Sequence, residues 1–117
     1  MQPLSRITPA TVDVLEALIS ASEPVWGLRI VTGTGRPAGS VYPILERLET
    51  MEWAISEWEV DANRSGPRRR LYRLTPDGLV AARAAVDAHA VRMQRRRARR
   101  QEPASDHGRG DAKGVTA

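Results

Sequence analysis

The fold depends on how the stretch GSVYPILERLE, residues 39–49, is interpreted. It has the clearest helical pattern in the chain, yet it contains a proline. Its apolar residues recur at helical spacing and continue into the next turn, forming one stripe: Val41, Ile44, Leu45, Leu48 and Met51. A proline in a helix interior costs about 3 kcal/mol or more, yet Pro43 lies within this stripe. The position at which the helix begins therefore determines whether the pattern is physically consistent.

The proline is compatible with a helix that begins just before it. With Ser40 as the N-cap, Val41, Tyr42 and Pro43 would be the first three helical residues, whose N–H groups have no intrahelical acceptor. Tyr42 would then lie on the first turn, opposite the apolar stripe. From there it can contact a phosphate or a base edge of a nucleic acid. The alternative is that Tyr42 only covers a groove within the domain.

Two shorter helices are predicted upstream. In TPATVDVLEALIS, residues 8–20, Thr8 can cap the helix and Pro9 occupies its first position. A second helix fits VWGLRIVTG, residues 25–33, with Val25, Leu28 and Val31 on its apolar side. It is expected to end at Gly33-Thr34-Gly35.

Downstream, WAISEWEV (53–60) and RRRLYRL (68–74) alternate as strands do, and the turn-rich link between them predicts a hairpin. Thr75-Pro76 then repeats the Thr-Pro helix opening. The helix that follows, to about residue 99, has a narrow apolar seam: Leu79, Ala82, Val86, Ala90 and Met93. Beyond it the chain is polar and Gly-rich.

This order of elements predicts an α+β, mainly α fold, the winged helix-turn-helix, with three helices, a two-stranded wing and a C-terminal helix. The third helix would enter the major groove of DNA, which is about 12 Å wide and admits a helix. Three segments are expected: a DNA-binding domain at residues 1–75, a dimerisation helix at 76–100 that ends in an Arg-rich run, and a disordered tail at 101–117.

Several motifs, in this order, resemble the PadR family of bacterial transcriptional regulators. They are PVWGLRIV, RPAG, GSVYPILERLETMEWAISEWE and SGPRRRLYRLTPDG, and the resemblance covers residues 8–86. It implies a homodimer, formed mainly through the helix after the wing, that binds a pseudo-palindromic operator as a repressor. It also implies release by a small ligand bound near the dimer interface. The length resembles the short branch of the family, with a single helix after the wing.

The resemblance places the family's YP tyrosine at Tyr42, and two positions depart from the family pattern. Glu52 stands where the family has Gly after the RLE motif, so the local turn is expected to differ if that position needs a positive φ. Arg29 stands where the family often has an acid, and it can add a phosphate contact.

Charge is distributed unevenly along the chain, whose net charge is +4. Residues 1–62 contain four basic and nine acidic side chains, whereas residues 63–117 contain fourteen basic and five acidic ones. An anionic partner for the second half is indicated, either nucleic acid or a membrane surface. Three interpretations of the Arg-rich run at 92–100 are open. Its positive charges could interact favourably with the dipole at the C-terminus of a helix, they could add salt-dependent affinity for DNA, or they could simply be solvated.

The residues predicted to contact DNA are basic or polar and fall in the third helix, the turn before it and the wing: Arg36, Ser40, Tyr42, Arg47, Arg64, Arg68, Arg69 and Arg70. Arg47 can either contact guanine or pair with Glu46 or Glu49. In the wing, Arg68 and Arg70 share one face and Arg69 the other, so at least one of them is expected not to contact DNA. Arg64, at the tip, is the expected minor-groove contact.

Trp53 and Trp58 fall on opposite faces of the first wing strand, so one of them is expected to be exposed. An exposed tryptophan near a dimer cleft would suit a small, flat aromatic effector. No cysteine is present, no metal-ligand spacing occurs, and Gly33-Thr34-Gly35 lacks the Lys-Ser/Thr of a phosphate loop. We therefore expect no enzyme activity, no cofactor and no metal.

Nothing approaches the 18 consecutive apolar residues of a membrane span, and no signal peptide is recognised. A cytoplasmic, nucleoid-associated protein with double-stranded DNA as its partner is expected. The alternatives are a winged-helix interaction module or adaptor that binds another protein, and an RNA or membrane-surface binder that acts through the Arg-rich run alone.

Overall fold

The structure, a computed structural model, describes residues 7–60 and 65–101. Its elements in chain order are α1 (Pro9–Ser20), β1 (Val25–Trp26), α2 (Gly27–Thr34), α3 (Ala38–Thr50), β2 (Ala54–Trp58), β3 (Arg70–Leu74) and α4 (Pro76–Gln101). The strands form an antiparallel sheet in the order β1-β3-β2. Three helices followed by a β2–β3 wing and a further helix are the predicted winged helix-turn-helix, which is confirmed.

Both Thr-Pro motifs begin helices as predicted. The hydroxyl oxygen of Thr8 accepts a hydrogen bond from the backbone N–H of Thr11 at 3.2 Å, with Pro9 at the first helical position. Thr75 does the same for α4, where its hydroxyl oxygen accepts from the N–H of Gly78 at 2.9 Å. Each cap satisfies a donor that the first helical turn leaves free.

The apolar stripe of α3 is the centre of the core. Val41, Leu45 and Leu48 are completely buried, and Ile44 is nearly so. Around them pack the buried residues of α1, α2, the sheet and α4: Val14, Leu15, Leu18, Ile30, Trp53, Ala54, Tyr72 and Ala82. Because α3 buries this side, its other side is the one left for contacts.

The predicted start of α3 is wrong. The helix begins at Ala38, two residues before Ser40, and Pro37 is its N-cap. Pro43 is therefore the sixth helical residue, an interior position, instead of the third. Because Pro43 has no N–H, the carbonyl of Gly39 lacks its helical hydrogen bond. Gly39 is an exposed residue of the first turn, so water can bind this carbonyl.

The apolar side predicted for α2 is only partly right: Val25 and Val31 pack against the core, but Leu28 does not. Val25 and Trp26 are not helical but form β1, which pairs with Tyr72 and Leu71 of β3. Leu28 is 44% exposed, whereas Ile30 is 1% exposed and is the core residue of α2. The helix ends as predicted, at Gly35 with φ +72°.

The turn after α3 keeps its geometry although Glu52 replaces the expected glycine. Glu52 has φ +65°, the N–H of Trp53 donates to the carbonyl of Leu48 at 2.8 Å, and the N–H of Glu52 donates to the carbonyl of Glu49 at 3.0 Å. These two bonds form a Schellman motif, which normally has glycine at this position. The departure therefore strains the backbone locally without altering the turn.

The chain divides into two compact units between Asp87 and Ala88. In the first unit Ala82 is buried, and Leu79 and Val86 are half-buried. In the second, Met93 is half-buried and Ala90 is exposed. Gln101 is still helical, and the remainder of the predicted tail lies outside the described residues.

Candidate nucleic-acid interface

The outer side of α3 is polar and open to solvent. Tyr42, Glu46, Arg47 and Thr50 are all exposed, opposite the buried stripe, as the helical spacing predicted. Tyr42, Glu46 and Thr50 follow one another at intervals of four residues, so they form a row along the helix. The Thr50 hydroxyl donates to the backbone carbonyl of Glu46 at 3.0 Å. Its acceptor lone pairs remain available, and Tyr42, Glu46 and Arg47 are the other polar side chains here with groups able to contact a partner.

Tyr42 is held in place by the start of α2. A Cβ built on Gly27 would lie 2.8 Å from the Tyr42 Cε1 and 3.3 Å from its hydroxyl oxygen. The ring therefore packs directly on the Gly27 backbone, a close approach that only glycine allows. Tyr42 is nevertheless 40% exposed. Its position is thus fixed by packing while part of the ring remains accessible.

Arg36 and Ser40 lie where α3 begins. The Arg36 Nε donates to Asp13 Oδ2 of α1 at 2.8 Å, and both side chains are more than a third exposed. This contact ties the turn before α3 to α1, so Arg36 has a structural partner in addition to its predicted phosphate contact. Ser40 is half-buried in the first turn of α3.

The three wing arginines divide between two faces, as strand alternation predicted. Arg70 lies on the same face of β3 as the buried Tyr72, the face next to α3. Arg69 points to the other face, where its guanidinium carbon is 4.0 Å from the centre of the Trp26 ring. Among the described side chains, the Arg69 Nε is a buried atom without a hydrogen-bond partner. Arg69 is therefore placed away from α3, and Arg64 lies outside the described residues.

Glu49 connects α3 to the wing. Its Oε2 accepts a hydrogen bond from the Ser56 hydroxyl at 2.5 Å, and Arg70 Nη2 lies 3.9 Å from the same oxygen. Burial and the Glu49 charge raise the pKa of the Tyr72 hydroxyl above its ordinary 10.0, and the nearby Arg70 opposes them. Glu49, Arg70 and Tyr72 border a cleft of about 390 Å³ between α3 and the wing, whose other lining residues are Tyr42, Pro43 and Glu46.

The two tryptophans proposed for an effector cleft are not brought together. Trp53 is 4% exposed and belongs to the core, immediately before β2. Trp58 is 49% exposed at the end of β2. The expectation that one of them would be exposed therefore holds, but the structure places only Trp58 at the surface.

Sequence reasoning missed Gly27 and Glu49. Gly27 lies within the segment predicted to be helical, and its contact with Tyr42 bridges fifteen residues and leaves no local signal. The sequence offers Glu49 as a partner of Arg47, whereas the structure pairs it with the wing. Arg47 is exposed, and no ion pair joins it to another described residue.

Within the described ranges, no group of His, Asp and Glu side chains could hold a metal ion. Likewise, no helix among the described residues is long and apolar enough to cross a membrane.

Comparison with solved structures shows the same fold in other regulators. A PadR family transcriptional regulator from Eggerthella lenta is 26% identical, with a TM-score of 0.61 over 77% of this chain and 82% of that one. A PadR-like regulator from Bacillus cereus is 19% identical, with a TM-score of 0.63 over 80% and 92%. The PcaV regulator from Streptomyces coelicolor, in complex with its natural ligand, is 20% identical, with a TM-score of 0.63 over 88% and 68%.

No curated protein matches the sequence significantly. The family model of the PadR-like transcriptional regulators, however, matches residues 14–84, which include α2, α3, the wing and the start of α4. The protein is thus a DNA-binding transcriptional regulator and not an enzyme. With more than half of its length matched, the chain belongs to the PadR-like family of transcriptional regulators.

Proposed function

We propose that the protein is a dimeric repressor that binds a pseudo-palindromic operator, with α3 of each copy in the major groove and the wing against the adjacent backbone. The observation that carries the proposal is the exposed row on α3 beside a wing face that bears Arg68 and Arg70. A helix of this kind presents base-reading side chains, and arginines beside it suit phosphates.

Tyr42 and Arg47 are the proposed base-contacting residues. Tyr42 is 40% exposed and its ring rests on Gly27, so little rotamer freedom would be lost on binding. Arg47 is exposed one turn further along α3, on the neighbouring edge of the same side. Its planar guanidinium matches the two acceptors that guanine presents in the major groove.

The proposed dimer uses α4. This helix has 26 residues and exposes apolar side chains in both units, with Val80 70% exposed and Val91 43% exposed. Apolar surface on a long helix suits pairing with the same helix of a second copy. A two-fold dimer would place the two copies of α3 on half-sites related by the same symmetry, which is the reason for a pseudo-palindrome.

An aromatic effector is the proposed signal for release. The PcaV structure contains its natural ligand, and Trp58 offers an exposed ring on the wing of this chain. A flat compound stacked on Trp58 would change the surroundings of the neighbouring wing arginines. Quenching of tryptophan fluorescence by small aromatic acids tests this part, and its absence in the W58F variant would locate the effect.

The decisive experiment selects bound duplexes from a random pool and then measures affinity for the selected sequence as a function of salt. A contact to a base edge provides about 1–3 kcal/mol, so Y42A and R47A are each expected to weaken binding about ten-fold or more. Arg73, exposed on the wing face away from α3, offers the matched control R73A, which is expected to bind as the wild type does.

A repressor should enrich a two-fold symmetric sequence, and affinity should fall steeply as salt rises. Light scattering should give twice the chain mass. An adaptor that binds another protein would enrich no sequence from the pool, and this result would refute the proposal.

A further inference from the structure

The wing face next to α3 carries an exposed stack of one tryptophan and two arginines. The guanidinium carbons of Arg68 and Arg70 lie 5.9 Å and 5.1 Å from the centre of the Trp58 ring. Trp58 is directly opposite Arg70 in the β2–β3 register, whereas Arg68 lies two residues before β3 and is placed beside Trp58 by its distance from the ring. Both distances fall within the range of a cation–π contact.

This stack adjoins the outer side of α3. Arg70 Nη2 is 3.9 Å from the Glu49 carboxylate of α3, and Arg70 lines the same cleft as Tyr42 and Glu46. Anything that lies along the row of exposed α3 side chains therefore also meets Arg70, and Trp58 lies immediately beyond it. Trp58 thus belongs to the face proposed to bind DNA.

Contact with an indole does not use the N–H donors of a guanidinium, although those of Arg70 are shared with Glu49 and the Tyr72 hydroxyl. The ring attracts the flat face of the cation, whereas the N–H donors lie in the guanidinium plane. An arginine held in this way has fewer conformations to lose when its donors contact a phosphate. The ion pair between Arg70 and Glu49 is loose, at 3.9 Å, and solvent weakens it further because the two side chains are 41% and 30% exposed.

The contrast with the other wing pair supports a distinct role. Arg69 also stacks on a tryptophan, Trp26, but at 4.0 Å on the opposite face, with its Nε buried. That pair joins the wing to β1 and is structural. The Trp58 stack is far more open, with the tryptophan 49% exposed. A large apolar ring that is half exposed contributes little to the hydrophobic core.

We infer that Trp58 is a positioning residue that holds Arg68 and Arg70 as a pre-organised pair of phosphate contacts beside α3. The inference rests on the proposed function and assigns to the exposed tryptophan a role in DNA affinity. Trp58 acts through the two arginines and need not touch the DNA itself.

The test compares W58L and W58F with the wild type in fluorescence anisotropy titrations of the selected duplex at several salt concentrations. Without the ring, both arginines must be ordered when DNA binds, and this predicts a loss of about five- to 150-fold for W58L. W58F keeps a ring and should remain close to the wild type. Log affinity falls as log salt rises, and the loss of one arginine–phosphate contact makes this slope less steep by about 0.9. W58L should therefore make the slope less steep by up to twice that amount.

Non-additivity separates positioning from direct contact. In a chain that already carries R68A and R70A, W58L should have no further effect, because the residues through which Trp58 acts are absent. I55A is the matched control: Ile55 is 41% exposed on the same strand, but on its other face, and this variant should leave affinity and slope unchanged.

Three outcomes would overturn the inference. They are equal affinity and slope for W58L and the wild type, a loss of affinity with the slope unchanged, and a full further loss in the R68A/R70A chain. If W58L does not fold, W58T, a residue suited to a strand that also lacks a ring, replaces it in the same two comparisons. Failure of the wild type to bind any duplex would instead refute the proposed function.

Discussion

Substituting Gly27 by alanine should weaken DNA binding without unfolding the protein, although Gly27 itself contacts no base in the proposed complex. The new Cβ would lie 2.8 Å from Tyr42 Cε1, and ordinary contact begins at 3.4 Å, so the edge of the ring must move by about 0.6 Å. The atom in conflict belongs to the end of a side chain that is 40% exposed, and the ring can therefore turn away.

The two consequences differ in size. Alanine is a better helix former than glycine and restricts the unfolded chain, which favours the folded state by about 0.4–1 kcal/mol and offsets the cost of moving the ring. The free energy of unfolding in urea should therefore stay within about 1 kcal/mol of the wild type. A base-edge contact provides about 1–3 kcal/mol and depends steeply on distance and angle, so we expect affinity to fall about ten-fold.

Gly33 provides the control within the same helix. Apart from its chain neighbours and the backbone of α2, no described atom lies within 4 Å of a Cβ built there. G33A should therefore stabilise α2 slightly and leave DNA affinity unchanged. Anisotropy titrations of the selected duplex with both variants would settle the matter. If G27A bound as tightly as G33A, the packing of Tyr42 on Gly27 would have no part in DNA recognition.

Three further predictions concern α4, the wing and α3. A Cβ at Gly78 would overlap the carbonyl oxygen of Trp53, backbone that cannot yield easily, so G78A should lower the free energy of unfolding by about 3 kcal/mol or more; a urea midpoint equal to that of the wild type would contradict this. Because the pKa of Tyr72 is raised above 10.0, its contribution to stability is intact below pH 10 and is lost as the pH rises through the folded-state pKa. Alkaline titration of unfolding should show this loss in the wild type and a smaller one in Y72F, and equal losses would exclude Tyr72 as the cause. Glu46, exposed on α3, can accept a hydrogen bond from cytosine, whereas glutamine pairs with adenine. Duplex selection with E46Q should therefore change one base of each half-site. An unchanged selected sequence would show that Glu46 takes no part in base recognition.

Local chemistry made much of the fold predictable. The Thr-Pro caps and the spacing of the α3 stripe each depend on residues within a few positions of one another, and the structure confirms them. The alternation of the wing strands correctly separated Arg69 from Arg70. These features follow from helical and strand periods alone.

The errors arose where tertiary contacts override local pattern. In α2 the core residue is Ile30, because β1 delays the start of the helix and so changes which of its residues face the core. β1 forms only by pairing with β3, more than forty residues away. Pro43 was assigned to the first turn because interior proline is unfavourable, yet the buried stripe stabilises α3 enough to include it. The close approaches at Gly27 and Gly78 involve partners fifteen or more residues distant. No single-residue propensity reports such contacts.

The proposed DNA-facing surface combines both signs of charge, and this mixture bears on specificity. Arg47 and Arg70 accompany Glu46 and Glu49 on or beside the outer side of α3. A carboxylate repels phosphates in every sequence and register, whereas its hydrogen bond to a base forms only at the correct site. The acids therefore lower non-specific affinity more than specific affinity. A single copy with so few net positive contacts should bind a half-site weakly. In the proposed dimer, each copy would raise the local concentration of the other at its half-site and so increase the affinity.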